Sequence, residues 1–418
     1  MTLSLRQIPW GPDMTRSRVS LAALVVAALL ACLTGCDREE PVAGPERDPE
    51  TPPAPAVSRA GLDEPGWPSF RGGPTQTGAA ASPLPESPKL LWTYEAGASV
   101  VSTCAIVDGS VYVGTDDGSL LAIDLLSGQK RWSYETGSSV QASPAVAGGR
   151  VFVGDTGGVF HAVSASAGER IWTFETGDQI ISSANPSGDV VLVGSYDGNL
   201  YCFDAATGDL RWQFRTDAQV HCSPCLADGE AAIAGCDGML RLIDVGSGEQ
   251  TGSLDLRGNL SASPAFLEGR FYLGTFAGAM LAVDHVSMQA AWRSLVGQGV
   301  VFYAAAAVAG DRVVFADQGG AVRCLSRSDG EPVWEFTARG GVDSSPVIAG
   351  DRVFFGSDDG TLYGLSLRDG AEQFRFDAGA GISASPAVGQ GRLVIGSQDG
   401  AIYCFGPPGG VSGGGGGR

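Results

Sequence analysis

Short runs of β-branched and aromatic residues, separated by glycine-containing turns, recur along most of the chain. Residues 142–176 show the pattern: ASPAV, RVFVGD, VFHAVSA and ERIWTFET follow one another with turn residues between them. Such runs predict four short strands, because these side chains suit a pleated surface and glycine suits tight turns. Long amphipathic surface helices are not predicted, since charged residues make up 17% of the chain and Lys89 and Lys130 are its only lysines.

The four-strand unit repeats with a period of about forty residues, and a large aromatic residue marks the same position in most units. A fixed period of this length indicates a repeat architecture, in which neighbouring units bury one another's apolar faces. Gly252 interrupts the aromatic series, and two inserted residues precede Trp334. The aromatic residues are Trp92, Trp132, Trp172, Trp212, Trp292, Trp334 and Phe374.

The strand count predicts how the repeat closes. Eight sets of three strands can be traced, and the last ends at Phe405-Gly406 without a fourth strand. An unpaired fourth strand, Lys89 to Glu95, precedes the first set. Joining the two within one blade removes free sheet edges. The sequence therefore predicts an all-β fold: an eight-bladed β-propeller of four-stranded antiparallel blades, closed by an N-terminal strand that completes the last blade.

One motif makes a family resemblance specific. The pattern Ala122-x-Asp124-x-x-x-Gly128-x-x-x-Trp132 resembles the tryptophan-docking motif of propellers of the pyrroloquinoline-quinone (PQQ) repeat type. The resemblance implies that the tryptophan packs between neighbouring blades and that the aspartate ties down the turn. It covers about residues 89–405 and identifies the seven aromatic residues above as blade-docking residues.

The N-terminal segment has the features of a targeting signal. Arg16 and Arg18 precede the apolar run Leu21 to Leu30, which is short for a membrane span. The N-terminal segment ends in Leu33-Thr34-Gly35-Cys36, which resembles the bacterial lipobox, so Cys36 is expected to carry lipid. The expected organisation is a lipoprotein signal peptide (1–35), a lipidated cysteine and disordered Pro/acidic tether (36–66), a lead-in segment (67–88), the propeller (89–406) and a disordered Gly-rich tail (407–418).

The repeat type raises the question of quinone enzymology. Quinoprotein dehydrogenases of this fold characteristically carry an adjacent cysteine pair, calcium-binding acids and a catalytic aspartate on long insertions. This sequence has no Cys-Cys dipeptide and no CxxCH haem motif, and its connections are minimal. Catalytic groups usually need loops that exceed what the scaffold requires. The sequence therefore predicts a non-enzymatic protein without a cofactor.

One cluster of His and Cys residues admits three interpretations. His221, Cys222, Cys225 and Cys236 have a spacing that can suit zinc. Cys222 and Cys225 lie three apart in a predicted strand, however, and so point to opposite faces. Buried free thiols are favoured, with a disulfide involving Cys236 and a metal site as the alternatives.

A ring of positions at the start of the innermost strands varies from blade to blade. Its polar and aromatic members predict a ligand funnel at the mouth of the central channel, although random drift also explains such irregularity. The funnel candidates are Gln141, His221, Tyr303 and Asp343.

The two-residue insertion around Arg293 to Val301 is the largest break in the period, and it predicts a partner surface formed by Arg293, Phe302 and Tyr303. The net charge of −19 argues against nucleic-acid binding.

Repeat and lipobox together resemble the outer-membrane-protein assembly factor BamB family. The resemblance implies a monomeric envelope scaffold, attached to a membrane by lipid alone, facing the periplasm and contacting envelope proteins of the outer-membrane assembly machinery. A small-ligand or carbohydrate sensor is the alternative, a PQQ-dependent oxidoreductase the weaker one, and the sequence leaves open which membrane holds the lipid.

Overall fold

The computed structural model describes residue 59 and residues 61–258, 262–297 and 300–408. The predicted signal peptide, Cys36, most of the tether and residues 409–418 lie outside the described residues. Within them the chain forms short β-strands and one 3-10 turn, Phe70–Gly72.

In the described part of the chain, the strands form eight sheets, one for each predicted blade. The strand β1 (Ala79–Ala80) precedes the blades and adds a fifth, parallel strand to blade 7. Blades 1 and 2 comprise β3 (Ala105–Val107), β4 (Ser110–Gly114), β5 (Ser119–Asp124), β6 (Lys130–Glu135), β7 (Ala145–Ala147), β8 (Arg150–Gly154), β9 (Val159–Ser164) and β10 (Arg170–Glu175). Blades 3 and 4 comprise β11 (Asn185–Ser187), β12 (Val190–Gly194), β13 (Asn199–Asp204), β14 (Leu210–Arg215), β15 (Cys225–Ala227), β16 (Glu230–Ala234), β17 (Met239–Asp244) and β18 (Gln250–Asp255). Blades 5 and 6 comprise β19 (Ala265–Leu267), β20 (Arg270–Thr275), β21 (Ala279–Asp284), β22 (Gln289–Leu295), β23 (Ala307–Ala309), β24 (Arg312–Ala316), β25 (Ala321–Ser326) and β26 (Pro332–Thr337). Blades 7 and 8 comprise β27 (Val347–Ala349), β28 (Arg352–Gly356), β29 (Thr361–Ser366), β30 (Glu372–Asp377), β31 (Ala387–Gly389), β32 (Arg392–Gly396), β33 (Ala401–Gly406) and β2 (Lys89–Glu95).

The ring closes as the strand count predicts. β2 pairs antiparallel with β33, from Lys89 opposite Gly406 to Glu95 opposite Ala401, and it forms the outermost strand of blade 8. Strands from opposite ends of the described chain therefore share one sheet, which leaves neither as a free edge on that side. The all-β, eight-bladed prediction is confirmed.

Each tryptophan of the repeat lies against the next blade. Its indole Nε1 donates a hydrogen bond to a main-chain carbonyl in the turn between the third and fourth strands of that blade. A glycine of the same turn lies on the ring; at Gly128, with φ 71°, an added Cβ would come within 2.8 Å of Trp92. Asp124 in this turn accepts hydrogen bonds from the N–H groups of Leu126 and Ser127. The indole bonds run from Trp92 to Leu125, Trp132 to Ala165, Trp172 to Ala205, Trp212 to Val245, Trp292 to Arg327 and Trp334 to Leu367, over 2.9–3.3 Å.

Two junctions between blades use other side chains. At the junction of blades 4 and 5, Gly252 stands in the tryptophan register and Met288 replaces the turn glycine. The Met288 Cγ lies 3.2 Å from where a Cβ at position 252 would be, so the methionine fills the space of an indole. At the junction of blades 7 and 8, Phe374 packs against Phe405, with ring centroids 5.7 Å apart. Neither a methionine nor a phenylalanine side chain donates a hydrogen bond, so at these two positions packing replaces the indole hydrogen bond.

Residues 61–82, hereafter the plug, cross one end of the central channel. Their main-chain carbonyls accept hydrogen bonds from the innermost strands, and blade 3 contributes the Asn185 side-chain amide, which donates to Pro74. All eight blades therefore touch the plug. Its main-chain bonds are donated by Ile106, Val146, Leu226, Phe266, Val308, Ile348 and Gln390 to Trp67, Pro68, Pro74, Thr75, Thr77, Gly78 and Pro65 respectively, over 2.7–2.9 Å.

Two side chains fix the plug in the channel. Trp67 is buried and its main chain bridges Ile106 in blade 1. Arg71 is also buried, and its guanidinium donates to the carbonyls of Pro346 at 2.5 Å and Ala306 at 2.6 Å. Burial lowers the pKa of Arg71 to about 9, which leaves it charged near neutrality.

The plug begins earlier than the sequence suggests. Residues 61–66 were expected to belong to a disordered tether, yet Leu62 and Pro65 accept hydrogen bonds from the side chain and main chain of Gln390. The carbonyl groups carry these contacts. Because any residue type supplies a carbonyl, the Pro/acidic composition of the segment gave no sign of them.

Candidate functional site

The open end of the channel holds one cavity of about 160 Å³. All four predicted funnel residues, Gln141, His221, Tyr303 and Asp343, line it, and Phe70 of the plug is also among its lining residues. The residues come together because each lies four positions before an innermost strand, and the eight innermost strands surround the axis. The cavity therefore lies between the plug and the ring of variable positions at the channel mouth, hereafter the rim.

Beneath the rim lies a belt of hydroxyl groups, one from nearly every blade. In six of the blades, the main-chain N–H of the belt residue donates to the belt hydroxyl of the next blade, over 2.9–3.0 Å. These oxygens keep a lone pair and a proton for a ligand, since a hydroxyl both donates and accepts. Alanine replaces the hydroxyl residue in blade 6. The belt consists of Thr103, Ser143, Ser183, Ser223, Ser263, Ala305, Ser345 and Ser385.

One side of the rim is aromatic. The Tyr196 hydroxyl lies 2.5 Å from His221 Nδ1, and the Tyr303 ring packs on Phe276 with centroids 5.3 Å apart. Burial lowers the pKa of His221, so the imidazole is neutral at neutral pH. Tyr303 remains 45% exposed, which leaves part of its ring free for contact.

The adjacent side of the rim is acidic. Asp343 in blade 7 and Ser383 in blade 8 occupy equivalent positions, and Asp343 Oδ1 and Ser383 Oγ are both buried without a hydrogen-bond partner. Burial, together with the charges of Asp343 and then Asp359, raises the pKa of Asp358 in the neighbouring turn. The rim thus concentrates negative charge at blade 7.

The cysteine cluster is made of free thiols. Cys222, Cys225 and Cys236 are unpaired in the structure. Cys222 Sγ accepts a hydrogen bond from the Ala234 N–H, as the Ser182 hydroxyl does from Gly194 in blade 3. Burial raises the pKa of Cys222 to about 12, so it stays a thiol. Among the described residues, no group of three or more His, Cys, Asp and Glu side chains is arranged to hold a metal ion.

The predicted partner surface does not form one patch. Phe302 is fully buried and packs on Phe315 with centroids 5.3 Å apart, so its assignment to a partner surface is wrong. Tyr303 lines the channel, whereas Arg293 is exposed on β22, the outermost strand of blade 5. A residue beside an insertion has no repeat partner from which its burial can be read, and this is why the error arose.

Sequence reasoning missed Leu295, the residue that makes the outer edge of blade 5 apolar. Leu295 at the end of β22 is 71% exposed, and it lies in one groove with the partly exposed Val333 of blade 6. The signal was available in the repeat, because every counterpart of Leu295 is polar. These are Glu95, Glu135, Glu175, Arg215, Asp255, Thr337 and Asp377.

Solved structures with the same fold come from several functional classes. BamB from Moraxella catarrhalis is 19% identical and has a TM-score of 0.68, over 77% of this chain and 98% of that one. The computationally designed protein Ika8 is 18% identical with a TM-score of 0.68, over 76% and 100%. Quinohemoprotein alcohol dehydrogenase from Comamonas testosteroni is 13% identical with a TM-score of 0.69, over 82% and 80%. At these identities the likenesses establish the fold alone.

The sequence itself carries the family assignment. No protein of curated function matches the chain. No helix among the described residues is long and apolar enough to cross a membrane. The family model described as outer membrane protein assembly factor BamB matches residues 84–184, 159–298 and 282–411, which together span all eight blades. On this match, the chain belongs to the BamB family of PQQ-like propellers.

Proposed function

We propose that this protein is a non-enzymatic scaffold of the cell envelope that acts in outer-membrane protein assembly. The observation that carries the proposal is the family match across every blade. The fold of a family does not by itself fix a function, so the proposal also depends on the loops and surfaces of this chain.

The connections between strands favour binding over catalysis. Nine residues join one blade to the next at most junctions, as at 136–144, and eleven do so at 296–306. Connections this short carry little more than the turn itself, whereas catalytic groups are usually placed on longer loops. The quinohemoprotein neighbour keeps an oxidoreductase as the second candidate, although its 13% identity supports the fold alone.

The outer edge of blade 5 is the proposed partner surface. Arg293 and Leu295 on β22 are exposed, and Val333 continues the surface onto blade 6. Arginine is enriched among the residues that dominate interface energies, and exposed apolar side chains beside it add area that a partner can bury. The partner proposed for it is a component of the outer-membrane assembly machinery.

The lipobox-like sequence before Cys36 supports attachment of the scaffold to a membrane. Lipidation of Cys36 would hold the propeller on the periplasmic face of a membrane. A tether raises the effective concentration of the domain towards partners in the same envelope. Cys36→Ser protein is expected to lose lipid labelling and to leave the membrane fraction; equal fractionation of both proteins would remove the anchor from the proposal.

Function is tested in cells that lack the protein. The native chain should restore the level of folded outer-membrane barrel proteins, measured by their heat-modifiable migration, and Cys36→Ser protein should restore much less. Unchanged barrel levels without the protein, or alcohol oxidation by purified protein that holds a quinone, would replace the scaffold with another function.

The partner surface is tested by site-specific photocrosslinking. A photoreactive residue at position 293 should capture a component of the assembly machinery. The matched control is position 173, an exposed threonine in the same register of blade 2. Equal capture of that component at both positions, or at neither, would place the interface elsewhere.

A further inference from the structure

Two residues that line the cavity at the channel mouth carry polar atoms without a hydrogen-bond partner in the described part of the chain. Asp343 Oδ1 and Ser383 Oγ are both buried without a partner among the described residues, and the two residues line one cavity from neighbouring blades. A buried carboxylate oxygen without a donor is costly, and native proteins seldom retain one without a reason. A hydrogen-bond donor from outside the chain would therefore satisfy the carboxylate of Asp343 and the hydroxyl of Ser383.

The charge of the cavity indicates which kind of donor fits. Its lining residues include no lysine or arginine, and the imidazole of His221 is neutral. Arg71 is not among the lining residues, and its guanidinium is bonded to the carbonyls of Pro346 and Ala306. Asp343 is the carboxylate of the lining and Asp358 lies within electrostatic reach of it. Such a site favours a cation over an anion.

The next blade adds a second cation-favouring group. Tyr303 of blade 6 lines the same cavity beside Asp343, and its ring is partly exposed. The face of a tyrosine ring attracts organic cations, and a neighbouring carboxylate strengthens the attraction. We propose that this cavity binds a small organic cation through a primary ammonium group, held by Asp343, Ser383 and the face of Tyr303.

The rest of the cavity sets the size and character of the ligand. Its volume of about 160 Å³ equals roughly five water molecules at ~30 Å³ each, well below the ~300 Å³ of a drug-sized pocket. In an eight-bladed ring, blade 3 faces blade 7, so Ile181 stands across from Asp343 with Gln141 beside it. Belt hydroxyls lie beneath. An amine with a short aliphatic or hydroxylated body fits these surroundings.

The first test compares amines with neutral molecules of the same shape. Isothermal titration of the purified propeller would use D-glucosamine against D-glucose, and cadaverine against pentanediol, at a mildly acidic pH that keeps the amines protonated. Measurable heat is expected with at least one amine and none with its neutral counterpart. Equal binding within each pair, or no binding at all, overturns the proposal. Competition by calcium chloride at equal affinity would assign the site to an inorganic cation and overturns it as well.

The second test locates the site. Asp343→Asn removes the charge at nearly constant volume and should weaken amine binding by about ten- to a hundredfold. Tyr303→Leu and Ser383→Ala should each weaken it less. The matched control is Asp116→Asn, which removes one charge in the register of Asp358 on blade 1, where Asp116 accepts a bond from Ser139. Unchanged binding in Asp343→Asn, with melting temperatures equal across the set, overturns the assignment to this cavity. The inference is independent of the scaffold function, since it is measured on the isolated protein.

Discussion

The two ends of the channel differ in what holds them together. At the plugged end, the main chain of one segment bonds to the main chain of blade after blade, in nearly the same register. At the open end, the rim side chains of the seven blades described there all differ, and two polar atoms have no partner among the described residues. The plugged end is specified by geometry that many sequences can supply. The open end is specified by individual residues, so it is the end where a specific ligand can be recognised.

Removing the plug and the closing strand should lower the stability of the protein more than any other change considered. A truncation through Glu95 exposes an edge of β33 and an edge of the innermost strands at once. We expect loss of the cooperative unfolding transition, or aggregation, because free edges template pairing between chains. A truncation through residue 60 retains every described plug contact apart from the bond between Arg59 and Leu62, and serves as the control in thermal unfolding followed by circular dichroism. Closely similar melting of the two proteins would contradict the closure seen in the structure.

Substitution of Trp67 in the plug should have the second largest effect on stability. Trp67→Ala removes a fully buried indole between blade 1 and the plug. The free energy of unfolding should fall by about 3–5 kcal/mol, the usual cost of such a cavity. Chemical denaturation measures it. A loss under about 1 kcal/mol would mean that hydrogen bonds, rather than burial of this indole, hold the plug.

A junction between blades should respond more weakly. Trp212→Phe keeps an aromatic ring but loses part of the indole area together with the hydrogen bond to Val245, which alone is worth about 1 kcal/mol. The junction of blades 7 and 8 already uses Phe374, so Phe374→Leu loses aromatic packing and no hydrogen bond. Unfolding free energies of both variants measure the two contributions separately. An effect of Trp212→Phe near zero would show that phenyl packing suffices at this junction and that the indole donor contributes little.

Substitutions at the open end should affect stability least. Gln141→Ala and Tyr303→Ala are expected to change the free energy of unfolding by no more than about 0.5 kcal/mol, because neither side chain fills the core. Denaturation curves check this alongside the Trp67→Ala protein. A loss comparable to that of Trp67→Ala would make the rim a structural element and would weaken the case for a ligand.

The same contrast explains how much the sequence could predict. The blades, their count and the closure at Glu95 followed from a period of forty, since every repeat tests the interpretation of the one before. The convergence of Gln141, His221, Tyr303 and Asp343 followed from equivalent positions in a ring. Repetition thus predicted positions around the axis as well as strands.

Features that occur once were beyond the reach of the repeat. The plug has no second copy, and its contacts are main-chain groups that leave no residue signature. Phe302 and Tyr303 are neighbours in sequence, yet one is buried and the other is half exposed. Alternation along an extended segment produces this result, but the two-residue insertion hid the phase of that alternation. Arg71 gave no warning of burial, because its partners are carbonyls rather than acids.

The plug also affects the order in which the molecule can fold. Leu62 and Gln390 are bonded across 328 positions of sequence, and Arg71 and Pro346 across 275. Most strand pairs of the blades, by contrast, join neighbours in the chain and need only short loops. Blades can therefore form locally and early, whereas the plug and β2 emerge first from the ribosome and find their last partners only after blade 8 exists. The long-range step should be slow. Until it occurs, the innermost strands have an open axis and blade 8 an open edge, so pairing between incompletely folded chains would begin at these edges.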